Sequence, residues 1–476
     1  LALSRAREDW GVDTSLYELL ESSQEEKPGG RIDHTFVFER QDLVLGDARI
    51  RLRLLVAGNR LAELTHILHV PEAFLRRYQD TRNANETISL AGTVVFLLLF
   101  LTLGGGIGAV HLLRHRTYEW KAPMLWGGGV AGLMALGSLN SLPLSWMSYD
   151  TALPAQVHVA TVALTATLTF LAGGVFLGLI FTVGEGLMRL GFPGQIQQWR
   201  LWSPGVANST PALGRTVAPY LIVGIELGFV VTFYLVMSRW AGWWSPAGAM
   251  AEPDLLATYF PWLTAVSTSL FAAFSEETIF RAIPIGAAAF LGRRYGKPWV
   301  WIWSAVVLQA LVFGASHANY PQQPAYARVV EIFPTFLAWG VITVYFGLVP
   351  AIIGHFTYNL VFFSLPLFAA ETQGVWADRA IIIAAGVLPL AVVFLSRLRR
   401  GAVSECPEWA RNRSWTSPAS LEESEEPAEE GEGDGSGLRT HPQDFHRLEA
   451  GGVAYQAPKP LSRRTLALAL VAGVAG

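Results

Sequence analysis

The chain has a single cysteine, Cys406, which excludes an intrachain disulfide framework. It has no block of Lys and Arg large enough to serve as a nucleic-acid footprint. Neither His-Glu-x-x-His nor Gly-x-Ser-Gly occurs, so two familiar protease signatures are absent. Charge is scarce: Asp, Glu, Lys and Arg make up 15% of the 476 residues, against about a quarter in a typical soluble protein. It is also unevenly spread. Residues 1–87 hold 27 of the 73 charged side chains and residues 401–476 hold 19, leaving 27 for the 313 between them. That middle stretch is long and apolar, with charges at the edges of its hydrophobic runs. This is the pattern of a polytopic α-helical membrane protein.

A helix needs about 20 apolar residues to cross a bilayer. On that measure nine spans are expected, near 88–113, 122–145, 155–188, 217–238, 258–281, 298–316, 329–347, 349–368 and 380–396. The third is long enough to tilt, or to break at Gly173–Gly174. Arg114, Arg116, Lys121, Arg189, Arg200, Arg215, Arg293, Arg294, Lys297, Arg397, Arg399 and Arg400 all fall on one side if the first span enters from outside. Arg328 and Arg379 fall on the other. The rule puts the N-terminal region outside the cell and the C-terminal tail in the cytoplasm of a bacterial cell membrane.

Residues 1–87 read as a small extramembrane α+β domain. Strands are expected over Arg31–Arg40 and Ala48–Leu55, with a hairpin turn at Ala57-Gly58-Asn59 and helices at Leu16–Ser22 and Pro71–Arg82. Asn85-Glu86-Thr87 matches a glycosylation sequon. Residues 88–215 read as additional transmembrane helices and 216–400 as the core that carries the chemistry. Residues 401–460, rich in Glu, Gly, Ser and Pro, read as a disordered acidic tail. Leu1 stands where a Met would start a chain, and Leu466–Gly476 is an apolar run. The chain is therefore treated as a fragment, with 461–476 the start of a truncated tenth span.

Ionisable groups in hydrocarbon are costly, so each is a functional candidate. Three motifs stand out on successive hydrophobic helices: Glu276-Glu277-x-x-x-Arg281, Phe313-x-x-x-His317 and His355-x-x-x-Asn359. Glu277 and Arg281 share a helix face in the favoured order and can neutralise each other. Glu276 points about 100° away and has no cation one turn along, which suits a general base. His355 and Asn359 share a face and can present two donors to one small target. The chemistry that follows is water attack on an amide. Glu276 and His317 would activate the water, and His355 and Asn359 would stabilise the oxyanion, worth about 3–4 kcal/mol per donor. Equally, Glu276, His317 and His355 could ligate a divalent metal such as zinc with an open water position. Spacing does not choose between the two.

The three ordered motifs resemble those of the CPBP family (CAAX protease and bacteriocin-processing, or Abi), which includes the type II CAAX prenyl endopeptidases. The resemblance covers about residues 216–400. It implies an intramembrane endopeptidase in which Glu276 and His317 activate water, His355 and Asn359 form the oxyanion hole, and Glu277 and Arg281 support them. It also implies a glutamate-dependent mechanism with no required cofactor, acting on a membrane-associated peptide or protein tail. Prenylated CAAX proteins are eukaryotic clients, so that substrate is not assumed here.

The bland reading is a non-catalytic transporter or scaffold that uses the same polar cluster for binding. A transporter would show internal repeats or paired broken helices, and none is evident. Glu185 has Arg189 one turn along and reads as a structural pair, and Glu226 reads as a supporting carboxylate without a partner. Gly104–Gly106 and Gly127–Gly129 lie in apolar spans and read as helix-packing sites. Gly431-Glu432-Gly433-Asp434 copies the string of intramembrane aspartyl proteases, but its acidic setting argues against that role.

Overall fold

The computed structural model of the protein describes residues 1–246, 252–401 and 404–416. An antiparallel meander opens the chain: β1 (Tyr17–Lys27), β2 (Arg31–Leu45), β3 (Ala48–Ala57) and β4 (Arg60–His69), paired in sequence order. Period-two alternation sets its faces. Leu52 and Leu54 pack with Phe38 and with Ala6 of α1 (Ala2–Trp10). Arg51, on the other face, meets its cross-strand neighbour Glu39 at 3.1 Å. The hairpin at Gly58 forms as expected, with φ at 60°.

The helix expected over Leu16–Ser22 does not form, because β1 takes most of those residues. Gly29 and Gly30, at φ 94° and 79°, turn β1 back onto β2, and the resulting ladder overrides local preference. The sheet is tied to the loop before residue 155. Arg31 donates to the Thr151 carbonyl (2.7 Å) and hydroxyl (2.8 Å) while pairing with buried Asp33.

α2 spans Glu72–Arg114, with Phe96–Gly105 wound as a π-helix. The extramembrane helix and the first span are one element, so the boundary drawn at 87 falls inside it. Then follow α3 (Lys121–Asn140), α4 (Ala155–Gly191), α5 (Thr210–Ala241), α6 (Pro261–Glu277), α7 (Ile283–Tyr295), α8 (Pro298–Ser316), α9 (Ala327–Phe346), α10 (Val349–Phe363) and α11 (Val375–Arg400). Among the described residues, seven helices are long and apolar enough to cross a membrane: α2, α3, α4, α5, α8, α9 and α11. Two of the nine expected spans are missing from that group. They correspond to α6, which bears the acidic pair, and to the short α10, which bears His355. Polar cargo and length set them apart.

α4 runs unbroken through Gly173–Gly174. Its small residues serve close approach instead: a side chain at Gly127 would meet the Gly178 backbone, with the Gly178 Cα only 2.8 Å away. Gly127→Val should therefore push α3 and α4 apart. The overpacking cost of about 1–3 kcal/mol is expected to lower the thermal unfolding midpoint in detergent. An unchanged midpoint would show that this contact tolerates bulk.

Arg328 and Arg379, which depart from the membrane charge rule, are both committed to the protein. Arg328 is buried against Glu331 (2.7 Å), and Arg379 donates to the Leu367 carbonyl at 2.8 Å. The stretch 401–460 also needs correction at its start. Asn412 donates to the Phe192 carbonyl (2.9 Å), Gln197 donates to the Trp409 and Arg411 carbonyls, and the Arg189 guanidinium lies 3.6 Å over Trp415. The two tryptophans and their polar neighbours give this stretch partners that the average composition of 401–460 conceals. Burial pushes the nearby Cys406 thiol up from its usual range, away from reactive thiolate character. Residues 417–460, including Gly431–Asp434, and the apolar run 461–476 lie outside the described residues.

Candidate active site

The site is assembled by an antiparallel hairpin. α6 does not end at Arg281: a π-turn over Thr278–Ala282 carries it into α7. Gly296 and Lys297, both at positive φ (83° and 56°), turn the chain, and Pro298 opens α8. Glu276 lies 19 residues before Tyr295, and His317 lies 19 residues after Pro298. At 1.5 Å per residue the two arms are equally long, so these side chains arrive at the same depth. A T-shaped contact of Phe280 with Phe313 (5.0 Å between centroids) locks the arms below them.

Glu276 receives two imidazoles. His355 Nε2 is 3.6 Å from its Oε2, and His317 Nε2 is 4.0 Å from the same oxygen. Each ring is fixed from behind. His317 Nδ1–H donates to the Phe313 carbonyl (2.9 Å), and its ring stacks on Phe313 at 4.1 Å. His355 Nδ1–H donates to Glu277 Oε1 at 2.7 Å. Both rings therefore keep Nε2 for the site. The Glu276 and His317 side chains stay 28% and 24% exposed, whereas Glu277 and Arg281 are 1% exposed and paired with each other. The Arg281 guanidinium also lies 4.2 Å over Phe336, which stacks on Phe313.

Five of the six expected residues thus meet directly. Asn359 sits one turn beyond His355 on α10 and is buried, but among the described residues it makes no hydrogen bond to the cluster. Among the described residues, no group of three His, Cys, Asp or Glu side chains is placed to hold a metal ion. Glu185 pairs with Arg189 at 2.9 Å, as its spacing suggested. Glu226 does find a partner, the Trp339 indole N–H at 3.1 Å.

The sequence reading missed Phe336, the Arg328–Glu331 pair and Asn85. The sequon at Asn85 marks no glycan site in this fold, since that side chain is fully buried. Arg328 and Glu331, three apart on one helix, were a legible signal. Nothing in the local sequence marks Phe336.

Fold and site together define a multi-helix integral membrane protein with a partly exposed cluster of Glu and His side chains set among apolar helices. Residues 258–361 match the family model described as Type II CAAX prenyl endopeptidase Rce1-like. The matched stretch contains all three motifs and is shorter than 216–400. No curated protein and no solved structure matches the chain.

Proposed function

We propose that the protein is an intramembrane endopeptidase that hydrolyses a peptide bond in a membrane-associated peptide or protein tail. The observation that carries this reading is the convergence of two Nε2 atoms on one Glu276 oxygen, at 3.6 and 4.0 Å. Both gaps are too long for a direct hydrogen bond and suit a bridging water. His317 faces that water with a bare Nε2. Glu276 takes its proton as the water oxygen bonds to the scissile carbonyl carbon. His355, protonated on both nitrogens and held by Glu277, turns Nε2–H to the oxyanion, and the Asn359 amide adds a second donor. Collapse breaks the C–N bond, and the Glu276 carboxyl returns its proton to the leaving nitrogen.

We further place the N-terminal sheet on the extracytoplasmic side, following the basic residues at the other helix ends. The scheme requires no metal. Its test is cleavage by purified protein in proteoliposomes, using a library of prenylated and unmodified membrane-anchored peptides. Cleavage that survives exhaustive chelation, with no metal found by elemental analysis, is the expected result. Activity lost on chelation and restored by zinc would replace the scheme with ligation by Glu276, His317 and His355. No cleavage across the library would favour a binding or transport role for the cluster.

A further inference from the structure

α2 lies outside the matched stretch, yet one of its faces is built against the chain that follows His317. Arg82, Asn85, Ser89 and Gly92, at i, i+3, i+7 and i+10, form one stripe on the helix. Asn85 is 0% exposed. Its Nδ2 reaches four backbone carbonyls, those of Ala318 (2.9 Å), Tyr320 (3.2 Å), Gln322 (3.1 Å) and Ala325 (3.4 Å). Its Oδ1 accepts from Gln323 Nε2 at 2.7 Å. Ser89 donates to the Ser316 carbonyl (2.9 Å) and Arg82 to that of Asn319. At Gly92 any side chain would overlap the Ser316 nitrogen and Ala315. Further along, Phe96 and Phe100 pack on Phe280 at 5.1 and 6.2 Å, and Phe280 on Phe313, the ring beneath His317.

Residues 317–326 form no helix or strand. Gln323 bridges Trp244, and the His317, Pro324 and Tyr326 carbonyls accept backbone N–H groups. Those of Ala318, Tyr320, Gln322 and Ala325 face the Asn85 amide instead. A buried carbonyl left unpaired is costly. One amide with two N–H donors, delivered by a helix from another part of the chain, lies within 3.4 Å of these four and shares its bonds among them.

We propose that Asn85 is a positioning residue for His317: α2 clamps the loop that leaves this histidine and so fixes the ring against Glu276. The proposal rests on the catalytic reading of His317 given above. It also makes the β-sheet, joined to α2 through Val70 and Pro71, mechanically continuous with the site.

The test uses full-length protein in proteoliposomes and a library peptide that the wild type cleaves. Asn85→Ala should lower kcat by about tenfold or more while KM stays within about twofold. It should also speed amide hydrogen exchange over 317–326 and leave α4 unchanged. Wild-type kcat overturns the proposal, as does a loss of kcat with unchanged exchange in that loop. Should Asn85→Ala fail to fold, Ser89→Ala and Arg82→Ala decide, since each removes one bond to the same segment. A kcat lowered about two- to fivefold in at least one supports the clamp, and wild-type kcat in both overturns it. His317→Ala, assayed in parallel, separates the two readings. Retained turnover there ends the catalytic assignment itself, whereas an inactive His317→Ala beside a fully active Asn85→Ala ends only the clamp.

Discussion

Glu276→Ala and His317→Ala are each expected to lower turnover of a cleaved membrane peptide by about 10³-fold or more, since positioned acid–base groups contribute on the order of 10²–10⁴. Both variants should be recovered at wild-type yield. Their side chains are partly exposed, and the contacts they make with each other are too long to be hydrogen bonds. Removing either strands no buried charge. The loss should fall on kcat more than on KM, because water activation is an interaction of the transition state. Turnover within tenfold of wild type in either variant would take that residue out of the chemistry.

Glu277→Gln should behave in the opposite way. This carboxylate is buried between the Arg281 guanidinium and the His355 imidazole. Neutralising it leaves Arg281 as a buried, uncompensated cation, a change that typically costs about 3–5 kcal/mol. That is a large part of the stability of most domains. The expected result is poor membrane yield and a lower thermal midpoint, with any surviving folded fraction retaining more turnover than Glu276→Ala. Normal yield and midpoint with selective loss of turnover would move Glu277 from support into the reaction.

The residues of the candidate site were more legible in the sequence than the architecture that brings them together. Spacing separates Glu276 from Glu277 because one has an arginine a turn away and the other does not. In the structure only Glu277 pairs with Arg281, while His355 lies between the two carboxylates. Spacing also marks His317 and His355, since buried imidazoles stand out among apolar residues. Depth was not legible. Reading the fifth span as closing at residue 281 leaves Glu276 and His317 near opposite membrane faces. The π-turn that carries the helix on to Tyr295 removes that conflict, and no residue type announces a π-turn. The ordered stretch around Trp409–Trp415 was hidden for a related reason: its partners are Phe192, Arg189 and Gln197, some two hundred residues away. The role of α2 was invisible while residues 85 and 92 were assigned to separate domains.

The equal arms on either side of Gly296 and Lys297 restrict how such a gene can change length. Loss of four codons from one arm alone would draw its side chain about 6 Å along the bundle axis, out of reach of its counterpart. Matched losses in both arms would leave the encounter intact. Insertions and deletions in this part of the chain are thus tolerable only in compensating pairs, a constraint imposed by the U-turn itself.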